Sequence, residues 1–233
     1  MKLPAAVEQE LRELQLMPPK DVSREWVMEK SRSFLRIMSY YRCAMMEIET
    51  KFRVLDQEHM LAYEWNPISS IKTRLKSLPS IEKKLIKRGF PVTLESMEQN
   101  LTDIAGVRVI CPFPDDVYYL ADAFLKQDDI VLLEKKDYIK NPKPNGYRSL
   151  HLVVEIPIFL TNEKRMMKAE IQLRTIAMDC WASLEHQLRY KKDLPFDERM
   201  GKELQECAML SADLDRRMDA LRRDVQKLQE SLT

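Results

Sequence analysis

The residues best suited to chemistry are two carboxylates and one short polar run. Asp103 opens the stretch Ile104-Ala-Gly-Val-Arg-Val-Ile-Cys111, beside Gly106, which reads as a tight turn. Glu170 heads the alternation Glu170-Ile-Gln-Leu-Arg174, so on a strand Glu170, Gln172 and Arg174 share one face. If the two strands are neighbours, this pair could hold one Mg²⁺, which takes carboxylate oxygens together with substrate phosphates. Alternatively, one acid holds the metal while the other accepts a proton from an attacking hydroxyl. A salt-bridged Asp and Glu beside basic residues carries the same signature. The polar run is Lys143-Pro-Asn-Gly-Tyr-Arg-Ser-Leu-His151. Pro144-Asn145-Gly146 is turn chemistry, and the residues after it predict a strand from Tyr147 to Ile156. Tyr147, Ser149 and His151 then lie on one face, where an aromatic ring, a hydroxyl and an imidazole suit a planar base with phosphates nearby.

The elements that must position these groups are legible in outline. Residues 4 to 16 predict a short helix, ended by Met17-Pro18-Pro19, and Ser23 can cap the next one. Phe34, Met38, Tyr41, Met45, Ile48, Phe52 and Leu55 recur at steps of three and four, the stripe of a long helix with a buried side. Asn66-Pro67 reads as the start of another helix, with Ile68, Ile71, Leu75 and Leu78 on its apolar side. Ser80 can cap a third, closed by Gly89. Between Lys72 and Arg88 stand seven cationic side chains and one acid, Glu82. In a chain of net charge +1 this local asymmetry fits either a polyanionic ligand or a solvated helical face. Further strands are expected around residues 103–111, 130–139 and 167–175, and helices over 115–126 and 176–190. From Glu198 onward a heptad pattern running from Met200 to Leu228 predicts one helix with a seam, either on the chain's own body or between subunits. The fold class is α/β (α+β): a mixed β-sheet flanked by helices, with helical extensions at both ends.

Composition removes several function classes. Glycine is limited to Gly89, Gly106, Gly146 and Gly201, so Walker A and G-x-G-x-x-G loops are absent and side chains must hold any nucleotide. The four cysteines lack C-x-x-C spacing and only three histidines exist, which argues against structural zinc or a disulfide framework. With neither a signal peptide nor a membrane span legible, a soluble cytoplasmic protein is expected.

Asp103-Ile-Ala-Gly-Val-Arg-Val-Ile-Cys, Asp137-Tyr-Ile, the Lys143–His151 run and Glu170-Ile-Gln-Leu-Arg-Thr together resemble the synthetase domain of the RelA/SpoT alarmone family. Arg74-Leu-Lys-Ser followed by Ser80-Ile-Glu-Lys-Lys84 matches as well, so the resemblance covers about residues 45 to 190. No hydrolase domain precedes it and no regulatory domains follow, the pattern of a stand-alone small alarmone synthetase. The resemblance implies a nucleotidyltransferase-like synthetase domain over residues 23–195, after an N-terminal helix and linker (1–22) and before a C-terminal oligomerisation helix (196–233). It also implies transfer of the β,γ-pyrophosphate of ATP to the 3′-hydroxyl of GTP or GDP, giving pppGpp or ppGpp and AMP, with Mg²⁺ as cofactor.

Carried over by position, Arg74 and Arg108 would sandwich the adenine, and Lys76, Lys84 and Lys136 would hold the ATP phosphates. Tyr147 would stack on guanine, with Lys143, Asn145, His151 and Gln172 around the acceptor. Asp103 would bind Mg²⁺, and Glu170 would activate the 3′-hydroxyl or share the metal. The family pattern further implies a homotetramer built through terminal helices. Whether an alarmone binds between subunits, activating or inhibiting, is open at this point. Two competing readings are weaker. A nucleotidyltransferase moving a whole nucleotide should carry a Gly-Ser turn and an Asp-x-Asp or Asp-x-Glu pair, and has neither. An RNA-binding or scaffolding module using the Lys72–Arg88 face leaves Asp103 and Glu170 without a role.

Overall fold

The computed structural model describes residues 24–63, 65–190 and 197–232. The expected helix over residues 4 to 16, the linker after it and the Ser23 cap lie outside the described residues. The long helix is α1, Arg24–Tyr63. Its stripe from Phe34 to Leu55 is buried, as the spacing predicts, with Ile48 and Phe52 fully so. Phe52 stacks on Phe124 at 4.7 Å between ring centres, a pair that adds about 0.5–1.5 kcal/mol beyond its area burial.

One departure from the sequence reading follows α1. The stretch expected to be helical from Asn66 is instead a strand, β1 (Ser70–Leu75), paired antiparallel with β2 (Ala105–Cys111). Ile68, Ile71, Leu75 and Leu78 satisfy a helical period by coincidence. Period two also fits, with Ile71, Thr73 and Leu75 on one side and Lys72 and Arg74 on the other, and pairing with β2 decides the choice. The next helix, α2, runs Leu78–Lys87 with Ser77 at its N-cap position and Pro79 in its first turn. Ser80 therefore lies inside the helix, not at its cap, and its hydroxyl meets that of Ser77 at 2.9 Å. Gly89 follows the helix at φ +74°, the left-handed conformation for which the sequence supplies glycine.

Helix α3 (Leu94–Asn100) is capped by Thr93, whose hydroxyl accepts from the Ser96 N–H at 3.1 Å. After β2 come α4 (Pro114–Leu125), β3 (Val131–Asp137), β4 (Leu150–Phe159) and β5 (Lys164–Thr175). Helices α5 (Ile176–Tyr190) and α6 (Glu198–Leu232) complete the chain, within the ranges the sequence predicts. Strand β4 starts at Leu150, so Tyr147 to Ser149 form an extended lead-in and not the first part of the strand. The Tyr138 N–H donates to the Ser149 carbonyl at 3.0 Å and fixes that lead-in. Gly106 also departs from expectation: it sits within β2 and makes no turn.

The sheet order is β1-β2-β5-β4-β3, with β2 and β5 parallel and every other pair antiparallel. The mixed α+β class is therefore as expected. Alternation along each strand sends Val107 and Val109, Ile171 and Leu173, and Leu150, Leu152 and Val154 into the core shared with α1 and α4. The opposite face carries the polar residues of the same strands.

Candidate active site

Register converts scattered sequence motifs into two rows across that polar face. In the first, Lys72 lies opposite Arg108, Arg108 beside Gln172, Gln172 opposite His151, and His151 opposite Lys136. In the second, Arg74 lies opposite Gly106, Gly106 beside Glu170, and Glu170 opposite Val153. Gly106 contributes no side chain, so the floor between Arg74 and Glu170 stays open. The result is a cleft of about 170 Å3, whose lining includes Arg74, Lys76, Asp103, Gly106, Arg108, Glu170 and Gln172.

Asp103 reaches the cleft from the residues before β2, and Lys76 from those after β1, where its N–H donates to the Ile104 carbonyl at 2.9 Å. The ammonium groups of Lys76 and of Lys84, on α2, both donate to Asp103 Oδ2 at 2.5 Å. Burial pushes the Asp103 carboxyl up, but these two lysines outweigh it and hold the group below its ordinary value. Burial lowers the Lys76 ammonium, and the neighbouring Lys84 charge adds to this, so it lies below its ordinary value despite the bond to Asp103. Asp103 Oδ1 is buried and has no hydrogen-bond partner. A buried carboxylate oxygen left without a partner is costly unless something binds there.

Glu170 sits in a chain of hydrogen bonds. Its Oε2 accepts from the Gln172 amide at 2.8 Å, and His151 Nδ1 lies 3.4 Å from Oε1. Burial raises the Glu170 carboxyl, but the His151 hydrogen bond and charge, with the Gln172 amide, bring it below its ordinary value. It is therefore ionised and able to accept a proton at neutral pH. His151 Nε2 meets the Tyr147 hydroxyl at 2.8 Å, and Arg174 donates to that hydroxyl at 2.6 Å and to Gln172 Oε1 at 2.7 Å.

The turn before β4 is built as its residues predict. Gly146, at φ +87°, donates to the Lys143 carbonyl at 2.8 Å, and the Tyr147 N–H donates to Asn145 Oδ1 at 3.2 Å. The Lys143 ammonium lies 4.8 Å from the Tyr147 ring centre and 4.6 Å from that of Tyr138. The Arg174 guanidinium is 5.1 Å from the Tyr147 ring, so the phenol stands among cations.

Of the residues singled out in the sequence, Arg74, Lys76, Lys84, Asp103, Arg108, Glu170 and Gln172 gather at the cleft, and Lys143, Tyr147 and His151 adjoin it. Lys136 is half-exposed and pairs with Glu134 at 2.8 Å; register places it opposite His151, and its charge is felt at Glu170. The Asn145 amide turns toward Glu185 on α5, at 3.4 Å. Two side chains without a role in the sequence reading also belong to the site: Arg174, on the Glu170 face, and Tyr138. Two signals were there: Arg174 falls two residues after Gln172, and Tyr138 lies in the Asp137-Tyr-Ile motif.

A magnesium ion fits this donor set. Asp103 has an unspent buried oxygen and Glu170 lines the same cleft. No group of three or more His, Cys, Asp or Glu that could hold a metal occurs among the described residues. Two carboxylates suit Mg²⁺, whose remaining ligands are water and substrate phosphates.

A mixed sheet with acids and bases converging on its polar face, and no glycine-rich phosphate loop, defines a side-chain-built nucleotide-handling site. The family comparison agrees: residues 73–194 match the model of the region found in RelA/SpoT proteins, and the chain belongs to this family. It is 44% identical over 185 residues to the GTP pyrophosphokinase YwaC of Bacillus subtilis, an alignment covering 79% of this chain and 88% of YwaC. Among solved structures it is similar to the small alarmone synthetase 2 of B. subtilis (41% identity, TM-score 0.73), covering 82% of this chain and 98% of that one. It is also similar to small alarmone synthetase 1 of B. subtilis bound to its product pppGpp (32% identity, TM-score 0.76), covering 84% of this chain and 99% of that one.

Proposed function

We propose that this chain is a (p)ppGpp synthetase: it transfers the β,γ-pyrophosphate of ATP to the 3′-hydroxyl of GTP or GDP and releases AMP. The placing of Asp103 and Glu170 in one cleft, between two arginines and two lysines, carries the reading. Membership of the family and likeness to GTP pyrophosphokinases support it, and the stringent response of bacteria is the physiological setting.

The chemistry follows from the groups present. Arg74 and Arg108, on neighbouring strands, offer two flat guanidinium planes to the adenine of ATP. Lys76 and Lys84 neutralise the phosphates, with Lys136 reaching in from the sheet edge. The acceptor guanine stacks on Tyr147, and Lys143, Asn145, His151 and Gln172 surround that nucleotide. Glu170 takes the 3′-hydroxyl proton as the oxygen attacks the β-phosphorus. The bond from that phosphorus to the α,β-bridging oxygen breaks, and AMP leaves with the electron pair. Asp103 and Glu170 would hold Mg²⁺, which when bound supplies positive charge to the migrating pyrophosphoryl group.

Incubation with γ-labelled ATP, GTP and Mg²⁺ tests the function. Label should move to guanosine pentaphosphate with AMP as co-product; ADP or free phosphate as the labelled or companion product contradicts it.

Oligomerisation belongs to the same reading. Leu214, Met218, Leu221, Val225 and Leu228 on α6 are 48–63% exposed, so this part of the heptad seam turns away from the chain's own body, while Leu204 packs inward. A second copy covering it, as a step toward a homotetramer, accounts for that stripe. Among the described residues no helix is long and apolar enough to cross a membrane, and the cytoplasm is the proposed location.

A further inference from the structure

The C-terminal helix touches the acceptor turn with a different side from its exposed apolar stripe. Gly146 is so close to α6 that a Cβ there would lie 2.4 Å from the Ala208 Cβ. Tyr147 and Leu204 pack against the small cluster of Trp181, Ala182 and Ala208, and the Trp181 indole N–H donates to the Leu204 carbonyl at 2.9 Å. Seven residues beyond Ala208, two turns along the same side of α6, stands Asp215, 5% exposed. Its Oδ2 accepts from the Thr175 hydroxyl at 2.8 Å, and Arg148 Nη1 approaches it at 3.7 Å. Thr175 ends the strand that carries Glu170, Gln172 and Arg174. Arg148 directly follows Tyr147, and its Nη1 is buried and makes no hydrogen bond, so the ion pair with Asp215 is what its charge has there.

One carboxylate from α6 thus stands between the strand bearing the base and the turn bearing the stacking ring. We propose that Asp215 is a positioning residue for the acceptor nucleotide: through Arg148 and Thr175 it holds the Tyr147 turn at a fixed distance from β5. Asp215 touches no substrate. Its removal leaves Arg148 as a buried, uncompensated cation, which must swing toward solvent and take the turn with it. Burial raises the Asp215 carboxyl above its ordinary value and the nearby Asp219 adds to this, while Thr175 and Arg148 draw it down. The inference rests on the acceptor assignment of Tyr147 made above, and it makes α6 part of the acceptor site.

The test uses the full chain with Asp215→Asn, Arg148→Met and the double variant. Asp215→Asn keeps an acceptor for Thr175 while removing the charge that Arg148 needs. The KM for GTP should rise about tenfold in each single variant, as for loss of one charge-assisted contact, while the KM for ATP stays within about twofold. The double variant should be no worse than the weaker single one. Hydrogen exchange supplies a readout independent of turnover: amides of residues 143–149 should exchange faster in Asp215→Asn while those of β2 do not change. Unchanged exchange in the turn, equal KM changes for both substrates, or additive effects of the two substitutions would overturn the proposal. Failure of the wild type to make pppGpp, with the exchange result as expected, would instead overturn the functional reading and leave the seat of the turn standing.

Discussion

Each cleft residue is assigned its task by what it touches. Glu170 is ionised and held by His151 and Gln172, so Glu170→Gln keeps the shape and removes the proton acceptor. Turnover should fall by roughly 10²–10⁴-fold with nucleotide affinity retained, measured by product chromatography beside calorimetric titration. Loss of binding in parallel with turnover would count against a base. Tyr147→Ala should weaken guanine-nucleotide binding by ~1–3 kcal/mol and ATP binding little, the range for losing one base–aromatic stack. Equal binding of GDP by both proteins would remove Tyr147 from the acceptor site. At this scale the sequence was informative because strand alternation fixes which side chains share a face, so Glu170, Gln172 and Arg174 do meet; Tyr147 also meets His151, but from the lead-in and not from the strand. What alternation cannot convey is contact between elements distant in the chain. The double tie of Lys76 and Lys84 to Asp103, and that of Arg148 to Asp215, had no local signal.

Among elements, β1 teaches most. Its residues satisfy two periods at once, and only pairing with β2, which local propensity does not contain, selects the strand. The consequence is functional, since a strand places Arg74 opposite Gly106 and within the same cleft as Arg108. Gly146 offers an element-scale test. Its φ of +87° and the 2.4 Å approach to Ala208 leave no room for a methyl group. Gly146→Ala should destabilise the fold by about 1–3 kcal/mol, read from chemical denaturation, and weaken GTP binding more than ATP binding. Unaltered stability would show that the turn is not seated on α6.

For the whole molecule, α6 has two unlike sides. Inward it is polar: Arg222 lies 2.9 Å from Asp115, 3.4 Å from Asp116 and 2.8 Å from Asp219. Outward it is apolar and exposed. Leu221→Glu combined with Val225→Glu should therefore reduce the particle mass seen by light scattering without unfolding the chain; an unchanged mass would place the subunit contact elsewhere. The heptad was legible in the sequence, but which side would face outward was not, because Asp215, Asp219 and Arg222 find buried partners that periodicity cannot foresee. Burial raises Asp116 from 3.8 to about 6, offset in part by Arg222 and the Phe113 N–H, with His59 and Asp115 also acting on it. Because the folded state holds this proton longer than the unfolded state, the resulting stabilisation is complete below about pH 4 and lost above about pH 6. Relative to Asp116→Asn, the wild type should lose on the order of 3 kcal/mol of unfolding free energy across that window. Parallel stability curves for the two proteins would contradict this.

The most direct test of one sheet face serving both nucleotides is a crystal structure of Glu170→Gln with ATP, GTP and Mg²⁺. The adenine should lie between Arg74 and Arg108, the guanine on Tyr147, and the 3′-hydroxyl within hydrogen-bonding distance of residue 170. Nucleotides bound away from the cleft, or a 3′-hydroxyl turned from residue 170, would contradict the account.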